Sequence, residues 1–442
     1  MANILISPLG TGYLGEYRKT NYVKNNKSIE TAVISKALLE FESFQSIIFI
    51  GTKNSIWHAL YKEYSADIHF SEKYYEALKN WTLEKDVEPD LRLLKKTIHE
   101  YIYHKSDVSC VIEIILIEKG INKKEIIKNS QRILKLADNF NDNDTIVLDI
   151  THNFRSIPLL IYSLLDYLTN VLEKKIQFKT AYYGMMDGDK TPIVDLKHII
   201  EISGWSDAAR DFVRYGNGKE LSKMMKNTDG RFSEKIIKEL EKISDAISVN
   251  NLRIFSESLD VLAHELKKDT GNIAFEMIKP HLQNFIDRFA LKKTSFEKLI
   301  EACDWFYDHN RTIGSLICLY EAYLKLMHET YNDGFGKGKS EDKHFKRLMN
   351  EILSVEKNKF IEIPEWGKLI ENIRVIKEQR DMAAHTSLVV RNRATDQFDH
   401  QLIKTARDRL EYLYDYQEME NFKSKIPLSF LEGRITNKGY EY

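Results

Sequence analysis

Within the run KEQRDMAAHTS (377–387), Arg380 and His385 stand five positions apart. An arginine and a histidine with no cluster of Asp and Glu beside them suit metal-free cleavage of RNA. In that chemistry a ribose 2′-OH attacks the adjacent phosphate, histidine moves protons, and arginine stabilises the charge building on the phosphorane. A five-residue step along an α-helix turns a side chain through roughly 140°. The two residues therefore do not share a face of their own helix. Either the spacing is accidental, or something outside the helix makes them a pair. The plain alternative is an arginine on a solvated face and a histidine near the carboxyl end, where the helix dipole favours it. Two local details weigh against it. The window 374–393 holds five basic residues (Arg374, Lys377, Arg380, Arg391, Arg393) against two acids, Glu378 and Asp381. Ala383 and Ala384 also leave room for a second helix to approach.

A second constellation lies in LDITHNFRSIP (148–158), where an apolar run ends and Thr151, His152, Asn153 and Arg155 crowd the turn into a helix. GTGYLG (10–15), GTKNSIW (51–57) and AYYGMM (181–186) follow other apolar runs in the same way. In an open parallel sheet these loops share the carboxyl edge, where ligands bind. Their glycines, hydroxyls, amides, basic groups and aromatic rings suit a phosphate-linked nucleotide; the alternative is a polar helix cap at each strand end. GTGYLG also fits the G-x-G-x-x-G pattern of dinucleotide sites. The second strand, SIIFIGTKN, lacks the acidic residue that would hold a ribose, so a nicotinamide or flavin is not expected. GKGKS (336–340) has Asp333 where a P-loop needs glycine and is set aside.

These motifs need scaffolds. The runs at 3–7, 46–52, 110–117, 145–151 and 176–184 are short, apolar and nearly continuous, as strands covered on both faces are. Amphipathic segments near 28–42, 91–104, 122–139 and 156–173 separate them, Pro158 suiting the first turn of the last. The pattern predicts a Rossmann-like parallel sheet with helices on both sides over residues 1–200. From 201 to 442 only helical periodicity recurs, as in RFSEKIIKELEKISDAI and IGSLICLYEAYLKLMHETY, which predicts an all-α second domain. With 442 residues, 43% hydrophobic and 30% charged, the chain is expected to fold into more than one core. A net charge of −1 gives no bulk attraction to nucleic acid or membrane, so any RNA contact must be a local patch. Three cysteines without CxxC spacing argue against a disulfide framework, and no apolar run reaches the ~20 residues a spanning helix needs. A soluble cytoplasmic protein is the expectation.

Taken together, LGTGY after the first strand, DITHNFRSIP after a middle one, YYG after a later one, and Arg380-Asp381-x-x-x-His385 near the carboxyl end resemble one family. It is the CRISPR-associated CARF–HEPN ribonucleases of type III systems. The resemblance implies a CARF domain at 1–200 that senses cyclic oligoadenylate, and a helical linker and HEPN ribonuclease domain at 201–442. Such a protein is an antiviral, allosterically activated endoribonuclease. It cuts single-stranded RNA without metal or cofactor and leaves a 2′,3′-cyclic phosphate. The four-membered ring, cyclic tetra-adenylate, is the activator this type of CARF domain points to, although the sequence itself does not fix ring size. The implied catalytic residues are Arg380 and His385, each pairing with its copy across a two-fold axis. Asp381, where relatives often carry asparagine, is expected to orient its neighbours. The implied ligand contacts are Gly10, Thr11, Gly12, Thr52, Asn54, Thr151, His152, Asn153, Arg155 and Tyr183; Arg155 could equally tie down a neighbouring loop. Two rival readings stay open. One is a ligand-sensing regulator whose helical domain binds a partner without cleaving RNA; the other is a sensor that also degrades its own signal.

A composite site built from two copies of one motif requires a homodimer or a higher homo-oligomer. Light scattering at micromolar concentration is expected to give at least a dimer. A monomer with full ligand-stimulated activity contradicts this.

Overall fold

A computed structural model describes residues 2–12, 17–66, 68–82, 88–152, 156–170, 175–228, 230–331, 343–384, 400–415 and 418–437. The chain divides into two compact units, Met1–Glu201 and Ile202–Tyr442.

The first unit is built on an eight-stranded sheet in the order β3-β2-β8-β7-β6-β1-β4-β5. Its strands are β1 (Asn3–Leu9), β2 (Thr20–Lys24), β3 (Lys27–Thr31), β4 (Ser46–Gly51), β5 (Val111–Leu116), β6 (Thr145–Asp149), β7 (Gln177–Gly184) and β8 (Lys190–Asp195). The five strands expected from the apolar runs form the parallel block β7-β6-β1-β4-β5. In the middle of that block Leu5 is in register with both Ile47 and Val147. Because side chains alternate across a strand, Leu5, Ile47 and Phe49 enter one apolar layer, and Ile4, Ile6, Ile48 and Ile50 the other. Each such fully buried side chain is worth about 1.5–3 kcal/mol of transfer free energy.

The sheet is mixed rather than purely parallel. β8 runs antiparallel to β7, β2 is parallel to β8, and β3 closes the edge antiparallel to β2. The β2–β3 hairpin turns through Asn25 and Asn26, both at positive φ (50° and 63°). Two such residues in succession make the turn whose twist matches a two-residue hairpin, and asparagine tolerates it. The helix expected near 28–42 is thereby corrected: its first residues are β3, and only α1 (Ile34–Leu38) is helical.

One layer holds α1, α2 (Trp57–Ser65), α3 (Glu72–Thr82) and α4 (Leu91–Ser106), with Trp57, Tyr61 and Tyr64 in its core. The Asp90 side chain caps α4 by accepting from the Arg92 amide, and Asp107 ends the helix in the left-handed region. The other layer holds α5 (Lys123–Leu134), a 3₁₀ turn at Lys135–Asn139, and α6 (Ser156–Asn170), with Ile133, Ile161 and Leu165 facing the sheet.

α7 (Lys197–Tyr215) runs across the division between the units. The second unit continues with α8 (Lys219–Asn227), α9 (Glu234–Ser248), α10 (Leu252–Glu265), α11 (Ile273–Ala290), α12 (Ser295–Asp308) and α13 (Thr312–Thr330). It ends with α14 (Lys343–Ile352), α15 (Pro364–Ala384), α16 (His400–Asp415), α17 (Met419–Lys425) and α18 (Leu428–Asn437). No strand occurs in it among the described residues. One continuous core unites it, around the fully buried Trp205, Trp305 and Trp366. α12 begins with a reciprocal cap in which Thr294 accepts from the Glu297 amide and Glu297 from the Thr294 amide. α13 is deeply enclosed, Leu316, Leu319, Tyr323 and Met327 all lying in the core, and α15 packs against it.

Gly51, the last residue of β4, tests this packing. A Cβ there would lie 2.7 Å from Trp57 Cζ2 and 2.9 Å from Ser55 Oγ. Gly51→Ala is therefore expected to cost about 1–3 kcal/mol, the usual range for overpacking, measured by urea unfolding. An unchanged midpoint contradicts the packing described.

Candidate functional site

The carboxyl ends of β1, β6 and β7 open onto a cavity of about 430 Å³ within the first unit. Gly10, Thr11 and Gly12 leave β1 along one side, with Gly12 in the left-handed region at φ 66°. Thr151 and His152 follow β6, and Tyr183 and Gly184 end β7. The structure thus brings together six of the residues singled out in the sequence: Gly10, Thr11, Gly12, Thr151, His152 and Tyr183. Thr52 and Asn54 do not line this cavity. Thr52 is 2% exposed, its amide donates to Ser55 Oγ at 2.9 Å, and its carbonyl accepts from Trp57 Nε1 at 2.9 Å. The loop after β4 supports the glycine loop from behind: Ser55 Oγ donates to Leu9 O (2.7 Å), and the Ile56 amide to Gly10 O (3.1 Å). Asn153 and Arg155 lie outside the described residues.

The turn after β6 is fixed by Asp149. Its Oδ1 accepts from the Thr151 amide at 2.8 Å, an Asx turn, and its Oδ2 accepts from Ser7 Oγ on β1 at 2.7 Å. Thr151 Oγ1 in turn accepts from the Gly184 amide at 2.8 Å, which ties the end of β7 to the same turn. Gly184 has no room for a side chain, since a Cβ would lie 2.8 Å from Tyr22 Cε1.

The edge hairpin and the residues leading into it supply most of a wall that the sequence reading missed. Tyr17, Arg18, Thr20 and Tyr22 line the cavity, together with Met186 and Thr191. Tyr17 stacks on His152 with ring centroids 4.1 Å apart, and its hydroxyl accepts the Gly10 amide at 2.9 Å. The Tyr22 hydroxyl lies 2.8 Å from His152 Nε2. Thr20 and Thr191 share a hydroxyl hydrogen bond at 2.7 Å. The signal that could have found this wall was the alternation around Tyr22 and Val23, followed by Asn25-Asn26.

Burial dominates the electrostatics of the cavity. Burial raises the Asp149 carboxyl to about 6, against the hydrogen bonds from Thr151 and Ser7. Burial also lowers the His152 imidazole to about 4, so it is neutral near pH 7. Burial, with Asp149 nearby, pushes the Tyr17 and Tyr22 phenols above their ordinary value. Among the described lining residues, Arg18 is the one that carries a permanent positive charge.

In the second unit, Arg380 sits near the carboxyl end of α15. Its guanidinium carbon lies 4.1 Å from the ring centroid of Tyr320 on α13. Nε and Nη2 both donate to Asp381 Oδ1, at 3.0 and 2.6 Å. Tyr320 is itself anchored by donating to Asn350 Oδ1 at 2.9 Å. His385, Arg391 and Arg393 lie outside the described residues. Arg374, counted in the basic window, donates instead to the carbonyls of Leu353 and Val355 beyond α14.

Residues 4–187 match the family described as CRISPR system endoribonuclease Csx1, CARF domain. The first unit resembles the CARF domain of CRISPR-associated proteins. Residues 201–293, which follow it, match the family described as CRISPR-associated protein MJ1674, second domain. Over its whole length the chain is similar to CRISPR-associated protein MJ1674 of Methanocaldococcus jannaschii. The two are 28% identical, covering 99% of this chain and 76% of that protein. Among solved structures, Enterococcus italicus Csm6 bound to cyclic hexa-2′-fluoro-hexa-dAMP aligns at 12% identity and a TM-score of 0.40, covering 96% of this chain and 99% of that one.

The buried carboxylate in the CARF-like unit gives a prediction whose sign is fixed. A folded-state value raised to about 6 means that the folded protein holds this proton where the unfolded chain has released it. Asp149 therefore removes stability as pH rises from about 4 to 6. Asp149→Asn is expected to raise the unfolding free energy at pH 7.5 by about 1–3 kcal/mol, the advantage vanishing toward pH 4. Equal stabilities across that range contradict the assignment.

Proposed function

We propose that the chain is an endoribonuclease of type III CRISPR defence that cuts single-stranded RNA when a cyclic oligoadenylate occupies the cavity of its first unit. The observation that carries this reading is the cavity itself. At the carboxyl edge of a parallel block it combines a glycine loop with Thr151, His152, an arginine and tyrosine rings. Free backbone amides and hydroxyls suit phosphates, and aromatic rings suit adenines. The Csx1 CARF match supports the sensing half of the proposal, and that family's description as an endoribonuclease supports the catalytic half.

The catalytic assignment rests on Arg380 and His385, with Asp381 holding the guanidinium. In a metal-independent mechanism the ribose 2′-OH attacks the neighbouring phosphorus, His385 transfers protons, and Arg380 stabilises the phosphorane oxygens. The products are a 2′,3′-cyclic phosphate and a 5′-OH. Two copies of the motif meet across a two-fold axis in this proposal, which makes the active form a homodimer or a larger homo-oligomer. Ligand in the first unit must then favour the cleaving arrangement of the second.

The test is cleavage of labelled single-stranded RNA with a panel of cyclic oligoadenylates, with and without EDTA. Cleavage stimulated by cyclic tetra-adenylate and indifferent to EDTA is expected. Arg380→Ala and His385→Ala are each expected to lower the rate by about 10²-fold or more while ligand binding persists. Replacing Thr151, His152 and Asn153 together by alanine is expected to abolish binding by calorimetry and stimulated cleavage, with the fold retained. Binding without any cleavage would favour a ligand-sensing regulator. Activity lost in EDTA and restored by magnesium would overturn the mechanism.

A further inference from the structure

His152 is held from two sides by tyrosines, Tyr17 just ahead of the edge hairpin and Tyr22 on its first strand. Tyr17 covers one face of the imidazole, its ring 22° from parallel, and the Tyr22 ring meets it edge-on at 86°. The polar contact is between the Tyr22 hydroxyl and Nε2, at 2.8 Å. Tyr22 is 1% exposed, and its hydroxyl has no other hydrogen-bond partner among the described residues. Nδ1 of His152 has none among them either, and the residue lines the cavity.

Two arrangements of protons fit this distance. If Nε2–H donated to the phenol oxygen, the phenol proton would be buried without an acceptor among the described residues, which is expensive. If the phenol donates to Nε2, both polar atoms of the contact are used and the remaining ring proton sits on Nδ1. The geometry points to Tyr22 as a positioning residue that locks His152 in the Nδ1–H tautomer, so that the cavity meets a neutral hydrogen-bond donor rather than an acceptor. Burial keeps the imidazole uncharged near neutral pH and keeps the phenol protonated, which is the state this arrangement requires. The ligand atom opposite His152 is then an acceptor, such as a phosphate oxygen or a purine ring nitrogen. This last step rests on reading the cavity as the ligand site; the tautomer does not.

The experiment uses the full chain labelled with ¹⁵N-histidine at pH 7.5, with long-range ¹H–¹⁵N spectra reporting which ring nitrogen carries the proton. The chain has 13 histidines, so the signals of His152 are identified as those lost in His152→Gln. The wild type is expected to show a protonated Nδ1 and a bare Nε2. Tyr22→Phe keeps the buried ring and removes only the hydroxyl, and it is expected to move His152 to the Nε2–H form. The same variant is expected to bind cyclic tetra-adenylate about tenfold more weakly by calorimetry, the effect of one well-placed hydrogen bond. A wild type already in the Nε2–H form, or a Tyr22→Phe spectrum like the wild type, overturns the positioning role. A changed tautomer with unchanged affinity overturns the donor role toward the ligand. If the wild type binds no cyclic oligoadenylate of any size, the ligand reading falls, and the spectra alone still decide the tautomer.

Discussion

A fully buried carboxylate governs the ligand edge of the first unit. Asp149 is 0% exposed and has no lysine or arginine paired with it among the described residues. Moving an ionised carboxylate out of water is costly, and two donors, Ser7 Oγ and the Thr151 amide, offset the cost only in part. In return, one side chain joins β1 to the turn after β6, and Thr151 extends the link to β7 through the Gly184 amide. The three loops that form the cavity are therefore referred to a single group. Its negative charge also restricts the chemistry above it. His152 is neutral and both tyrosines are protonated, so among the described lining residues Arg18 is the cation that faces this cavity. The Gly10 amide is already taken by Tyr17.

The second unit places its arginine by a different device. Arg380 is packed against the face of Tyr320, which is 5% exposed and anchored through Asn350. Asp381 then takes two of the guanidinium donors. A planar cation clamped between a ring and a carboxylate loses little rotamer freedom when it meets a phosphate. In the proposed mechanism this preorganisation makes Arg380 a stabiliser of developing charge rather than a mobile surface residue.

Much of this was legible in the sequence, and the failures share a cause. The continuous apolar runs at 46–52 and 145–151 announced strands covered on both faces, and glycine, threonine and histidine at their ends announced the loops. The edge hairpin was hidden because an edge strand has one solvated face. Thr20, Asn21, Lys24 and Lys27 read as a polar segment, and on β2 only Tyr22 is deeply buried. With the hairpin went the tyrosines that grip His152. Thr52 misled for the opposite reason: its position after β4 is that of a ligand residue. A side chain's direction, though, depends on the loop's internal hydrogen bonds to Ser55, which spacing does not encode. Arg374 shows the same limit, since composition counts a charge without saying which carbonyls it caps.

The account's central claim is that the cavity of the first unit is where a cyclic oligoadenylate is sensed. Hydrogen–deuterium exchange of the full chain with and without cyclic tetra-adenylate tests it most directly. The account predicts slowed exchange in peptides containing Gly10–Gly12, Tyr17–Tyr22 and Thr151–His152, all of which border the cavity. Saturating ligand that protects other parts of the first unit, and leaves these three segments exchanging as in the free protein, would contradict it.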